Sequence, residues 1–178
     1  MRHKLLISIT CLGAILILFG FIMYKGILSK STGQIAPFST ITWTNTLDDI
    51  IALEGENYST YDSVYGGLCY TYPKEYLGRD GTIKYMTDET SAIACIAWTY
   101  TSDDAEDLYT LYDEINKYTI DQYGESGYNP QNSTNYGNVW YREEGNIIIS
   151  TMLTSTNKAL QYAYLNPIVS SESPDKKE

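Results

Sequence analysis

Residues 92–124 read AIACIAWTYTSDDAEDLYTLYDEINKYTIDQYG, and a change of period inside this stretch decides the fold. Up to Thr101 the residues fit the two-residue repeat of a strand, rich in β-branched and aromatic types. From Asp104 onward Leu108, Leu111, Tyr112, Ile115, Tyr118 and Tyr123 recur at helical spacing. Asp103 and Glu106 stand in the spacing of a capping box, and Gly124 follows as a stop. A strand feeding an amphipathic helix of about Asp104 to Tyr123 implies that the helix lays one apolar stripe on a sheet.

Working outward, a shorter helix is expected over Leu47–Glu54, with Thr46 and Asp49 as its capping box and Gly55 as its stop. Strands are expected near 64–72, 81–87 and 92–101, then near 138–143, 147–154 and 159–165. Gly81 and Gly145 open the second strand of each set. The connections within each set are too short for a crossover helix, so antiparallel meanders follow.

The order helix, three strands, helix, three strands suggests a duplication. Tyr65-Gly66-Gly67-Leu68-Cys69-Tyr70 matches Tyr136-Gly137-Asn138-Val139-Trp140-Tyr141, Gly55-Glu56 matches Gly124-Glu125, and Ala92-Ile93 matches Ala159-Leu160. With Trp43 before the first helix, this order resembles the tandem repeat of β-lactamase inhibitor proteins, and similar units occur in small envelope lipoproteins. The resemblance covers about residues 40–167 and implies a fold and a binding habit without a target. The paired cysteines that staple inhibitor-type domains are missing.

The first charge-free stretch, Leu5 to Tyr24, spans roughly 30 Å as a helix, the thickness of a bilayer core. The expected fold class is therefore α+β, with an N-terminal transmembrane helix followed by two αβββ repeats forming an antiparallel sheet with helices on one face. The expected organisation is a cytoplasmic stretch at 1–4, an anchor at 5–24, a linker at 25–45, and an extracytoplasmic domain at 46–167 with repeats at 46–101 and 103–167. A disordered tail at 168–178 completes it. The expected localisation is a bacterial cell membrane, single-pass, with the domain exported. A cleaved signal peptide is the competing reading, although no small-x-small cleavage site follows Phe21.

Charge narrows the partners. Beyond residue 30 the chain holds 8 basic against 22 acidic residues, a net of −14. A surface of that sign repels phosphate backbones, so nucleic acid is not an expected partner. His3 is the sole histidine, which removes Ser-His-Asp and Cys-His catalysis and ordinary histidine metal sites from the domain. No Walker or dinucleotide glycine loop is present. The densest carboxylate cluster, Asp103, Asp104, Glu106 and Asp107, reads as capping and dipole compensation for the second helix. No cofactor, metal site or enzymatic activity is expected.

Cys69 and Cys95 fall in strands that flank a middle one at roughly 10 Å, too far for a disulfide, so two buried thiols are expected. Alternation places Tyr70 and Tyr72, Tyr85, and Trp98 and Tyr100 on one side of the sheet, while Cys69, Thr71, Ile93, Cys95 and Ala97 leave the other side small enough for a helix to approach. The expected site is thus an outward aromatic face of Tyr70, Tyr72, Tyr85, Trp98 and Tyr100, and the competing reading is that the same aromatics fill the core or are simply good strand formers on a half-wet sheet. The expected function is non-enzymatic binding of a protein partner at the cell envelope. A cell-wall carbohydrate binder is the alternative, and a carboxylate-based hydrolase a third.

Overall fold

The computed structural model describes residues 36–127 and 135–170. The order of elements is α1 (Leu47–Glu54), β1 (Ser59–Asp62), β2 (Gly66–Tyr76), β3 (Arg79–Asp88), β4 (Ile93–Thr101), α2 (Ala105–Tyr123), β5 (Asn135–Trp140), β6 (Ile147–Leu153) and β7 (Lys158–Leu165), closed by a 3-10 turn at Pro167–Val169. All seven strands join one sheet in the order β1-β2-β3-β4-β7-β6-β5, and every neighbouring pair is antiparallel.

This corrects the expected fold class. A transmembrane helix followed by two αβββ repeats is not what the described residues form: four strands, not three, follow α1, and no helix among those residues is long and apolar enough to cross a membrane. The anchor expected at 5–24, with the cytoplasmic stretch before it, lies outside the described residues.

The local chemistry explains the elements. In α1, Thr46 accepts from the Asp49 backbone N–H while the Asp49 carboxylate accepts from the Thr46 N–H at 2.7 Å, a reciprocal capping box. Eight residues cannot hold a helix alone. Ile50 is buried, and the Glu54 carboxylate pairs with Lys74 at 3.0 Å and accepts from the Tyr85 hydroxyl at 2.7 Å, fastening the C-terminal end of the helix to the sheet. In α2 the cap is Asp104, which accepts from the Glu106 N–H at 2.9 Å, one residue later than the expected box. Leu108, Leu111, Tyr112 and Ile115 are buried as the helical period requires, whereas Tyr118 is exposed and Thr119 takes the next inward position.

Two further features differ from expectation. The β2–β3 turn falls at Leu77 and Gly78, both with positive φ, rather than before Gly81, which lies inside β3. Residues 36–45, expected as linker, instead send Ala36, Phe38 and Ile41 into the core. Phe38 meets Tyr76, Tyr162 and Tyr164 edge to face at 5.5–6.0 Å between centroids. The described end of the expected tail is also fastened: the Asn166 side chain caps the 3-10 turn, and Ser170 Oγ accepts from the Asn146 N–H. Residues 171–178 lie outside the described residues.

Candidate binding surface

The five aromatics expected as an outward face do share one side of the sheet: Tyr70 opposes Tyr85, and Ile83 is flanked by Tyr72 and Trp98. That side is the inner one. Tyr72, Tyr85 and Trp98 are buried with at most 2% exposure, and Tyr70 and Tyr100 pack against the same core. The outward aromatic face is thus corrected, and the reason is volume. The gap between sheet and helices must be filled to close-packed density, which Tyr, Trp and Ile side chains do and Cys, Ala and Thr cannot.

The inward tyrosines are wired to their surroundings. Tyr85 shares its hydroxyl between Ser39 at 2.8 Å and Glu54, and burial pushes its pKa well above the usual phenolic range. Thr119, Tyr162 and Tyr164 form a hydroxyl chain at 3.0 and 2.7 Å, and burial raises the pKa of Tyr162 to about 12. The Trp98 indole N–H donates to the Lys74 carbonyl at 2.9 Å. Trp98 and Tyr100 stack at 6.0 Å with 6° between their planes.

The carboxylate cluster is absorbed into structure. Asp104 caps α2, while Asp107 accepts from Tyr100 at 2.8 Å and from Arg79 at 2.9 Å. The Tyr100 bond first, and then Arg79, hold the Asp107 carboxyl below its usual range. Asp104 is thus committed to the start of α2, and Asp107 to holding α2 against β3 and β4. Among the described residues no group of three or more His, Cys, Asp or Glu side chains could hold a metal ion.

Among the described residues the opposite side of the sheet carries no helix residue in its buried cluster, and it is the better candidate. At its centre Cys95, Ala97 and Ala163 form a small buried cluster, with Tyr65, Met86, Ile148 and Leu165 packed around it. The turn between β1 and β2 folds over part of this cluster. Ser63 accepts from the Tyr65 backbone N–H through its Oγ, and the Tyr65 hydroxyl bonds the Cys95 thiol. Tyr61 bonds Cys69 in the same way, and burial raises both phenols to about 12. Between the turn and strands β3, β4, β6 and β7 lies a largely apolar hollow of about 250 Å³, lined by Tyr61, Val64, Met86, Ile148 and Leu165, with Gln161 as a polar group on its wall. Val64, which lines this hollow, is itself 86% exposed, so the depression continues into an exposed apolar side chain.

Cys69 and Cys95 are both buried and free, separated by Met86, which is the register partner of each. Burial raises both thiols, Cys95 to about 12. Sequence reasoning placed the cysteines on one side of the sheet but missed the hollow, because it left Tyr61 unassigned and read Val64 as the start of a strand, whereas Val64 lies in the turn between β1 and β2. Compared with protein-family models, with curated proteins and with solved structures, the chain matches none. The likeness to β-lactamase inhibitor proteins is not tested by these comparisons.

Proposed function

We propose that this domain is a non-enzymatic protein-interaction module that binds through the helix-free side of its sheet, with the hollow beside Val64 receiving an apolar side chain of the partner. The observation that carries this reading is the exposed Val64 lining an apolar depression whose floor is small and buried. Interfaces gain most of their energy where a large side chain enters such a depression. A net of −14 beyond residue 30 favours a partner with basic residues around that anchor. Carbohydrate binding loses its main support, because the aromatic platform needed to stack sugar rings is filled by the core.

The test places a photo-crosslinking residue at Val64 and, separately, at Tyr118 on the exposed side of α2, in cells that make the protein. A single protein adduct from position 64 and none from position 118 is expected. The identified partner, once purified, should bind Val64→Asp at least tenfold more weakly than the wild type, as befits a loss of about 1.4 kcal/mol or more. Crosslinking from 118 alone, or retention of the protein on purified wall polymer with no protein adduct, overturns the proposal.

A further inference from the structure

The strands bring three sulfur atoms into one row. Cys69 on β2 is the register partner of Met86 on β3, and Met86 is the register partner of Cys95 on β4. All three therefore project to the helix-free side, where Met86 and Cys95 both line the hollow. The domain's two cysteines are thus centred on the same methionine.

We propose that Met86 is the shared ligand of a binding site for a soft monovalent cation, Cu(I) or Ag(I), completed by the thiolate of Cys95 on one side or of Cys69 on the other. Thioether and thiolate sulfurs select such cations over hard ones. A cation held by two sulfurs at about 2.3 Å each, a usual metal–thiolate length, needs them at most about 4.6 Å apart. Side chains directly opposed across antiparallel strands have Cβ atoms about 4.5–5.5 Å apart, and the unbranched, flexible Met86 side chain carries its Sδ two bonds beyond its Cβ, which gives it the reach to bring that sulfur against the Sγ of either register partner. The outer two cysteines stand two strand spacings apart, roughly 10 Å, and do not meet that condition without the methionine between them. On binding, one thiol proton is released to solvent and one metal–thiolate bond forms, with no change of oxidation state.

The geometry makes an uncommon demand: the methionine is indispensable, whereas the cysteines can substitute for each other. The experiment titrates the full chain with Cu(I) against a chromophoric Cu(I) chelator, with Ag(I) as a second probe, and counts equivalents bound. Met86→Leu, a swap of similar volume checked by an unchanged melting temperature, should lower the count by one. Cys69→Ser and Cys95→Ser should each leave the count unchanged, and the double variant should lower it by one. A count unchanged in Met86→Leu, or unchanged in the double cysteine variant, overturns the proposal, as does the absence of any equivalent bound by the wild type.

Discussion

Gly81 lies beneath the indole of Trp98 so closely that a Cβ at position 81 would stand 2.5 Å from the ring. This contact, rather than a turn, accounts for a glycine inside β3. Gly81→Ala should destabilise the domain by about 1–3 kcal/mol through overpacking, and Trp98→Ala by roughly 3–5 kcal/mol through the cavity it leaves. Denaturant unfolding measures both. An unchanged midpoint in Gly81→Ala would show that the indole is free to move aside.

The chain of contacts from Ser39 through Tyr85 and Glu54 to Lys74 predicts an order of costs. Tyr85→Phe removes a hydrogen bond to a charged group and should cost roughly 1.5–3 kcal/mol. Lys74→Met leaves the Glu54 carboxylate, only 7% exposed, without its cation and should cost more, about 3–5 kcal/mol. Equal effects in urea unfolding would argue that the lysine contributes little to neutralising Glu54.

Asp107 predicts an acid-side loss of stability. Its folded pKa lies below the ordinary value of 3.8 because Tyr100 and Arg79 bind the carboxylate. A lowered folded pKa means that the contribution is fully present above the unfolded value and disappears as pH falls through the folded one. The melting-temperature gap between wild type and Asp107→Asn should therefore be widest near neutral pH and narrow below about pH 4. A gap constant across that range would assign the effect to packing alone.

The buried thiols predict slow chemistry. With Cys95 raised to about 12 and Cys69 raised as well, alkylation of the folded domain at about pH 8 should leave both unmodified while denaturant exposes both. Peptide mapping after iodoacetamide reads the result. Rapid native labelling of Cys95 would mean that the turn at Ser63–Tyr65 opens readily.

The residues that signalled structure most clearly were those whose local chemistry has few alternatives: Thr46 with Asp49, Gly55 and Gly124, and the Leu108–Ile115 stripe. Strand β1 escaped notice because Ser59, Thr60, Tyr61 and Asp62 are all exposed and show no apolar alternation. Ala36, Phe38 and Ile41 read as linker because their combined spacing sustains neither the helical nor the strand repeat, although the ring partners of Phe38 lie far along the chain at Tyr76, Tyr162 and Tyr164. The aromatic side of the sheet was identified by alternation, but its direction was misjudged. Both sides are apolar, and hydrophobicity cannot distinguish a side that must fill a thick layer from one that borders a shallow depression. Side-chain volume can.

The last of the described strands, β7, lies inside the sheet, paired on one flank with β4 and on the other with β6. During synthesis the two halves have no common seam until Lys158–Leu165 leaves the ribosome, so a nascent chain stopped before it holds two half-sheets with raw inner edges. Final closure is a late event joining distant parts of the sequence, the kind of step that slows folding. Whatever receives the emerging chain must shield those edges until its closing segment arrives.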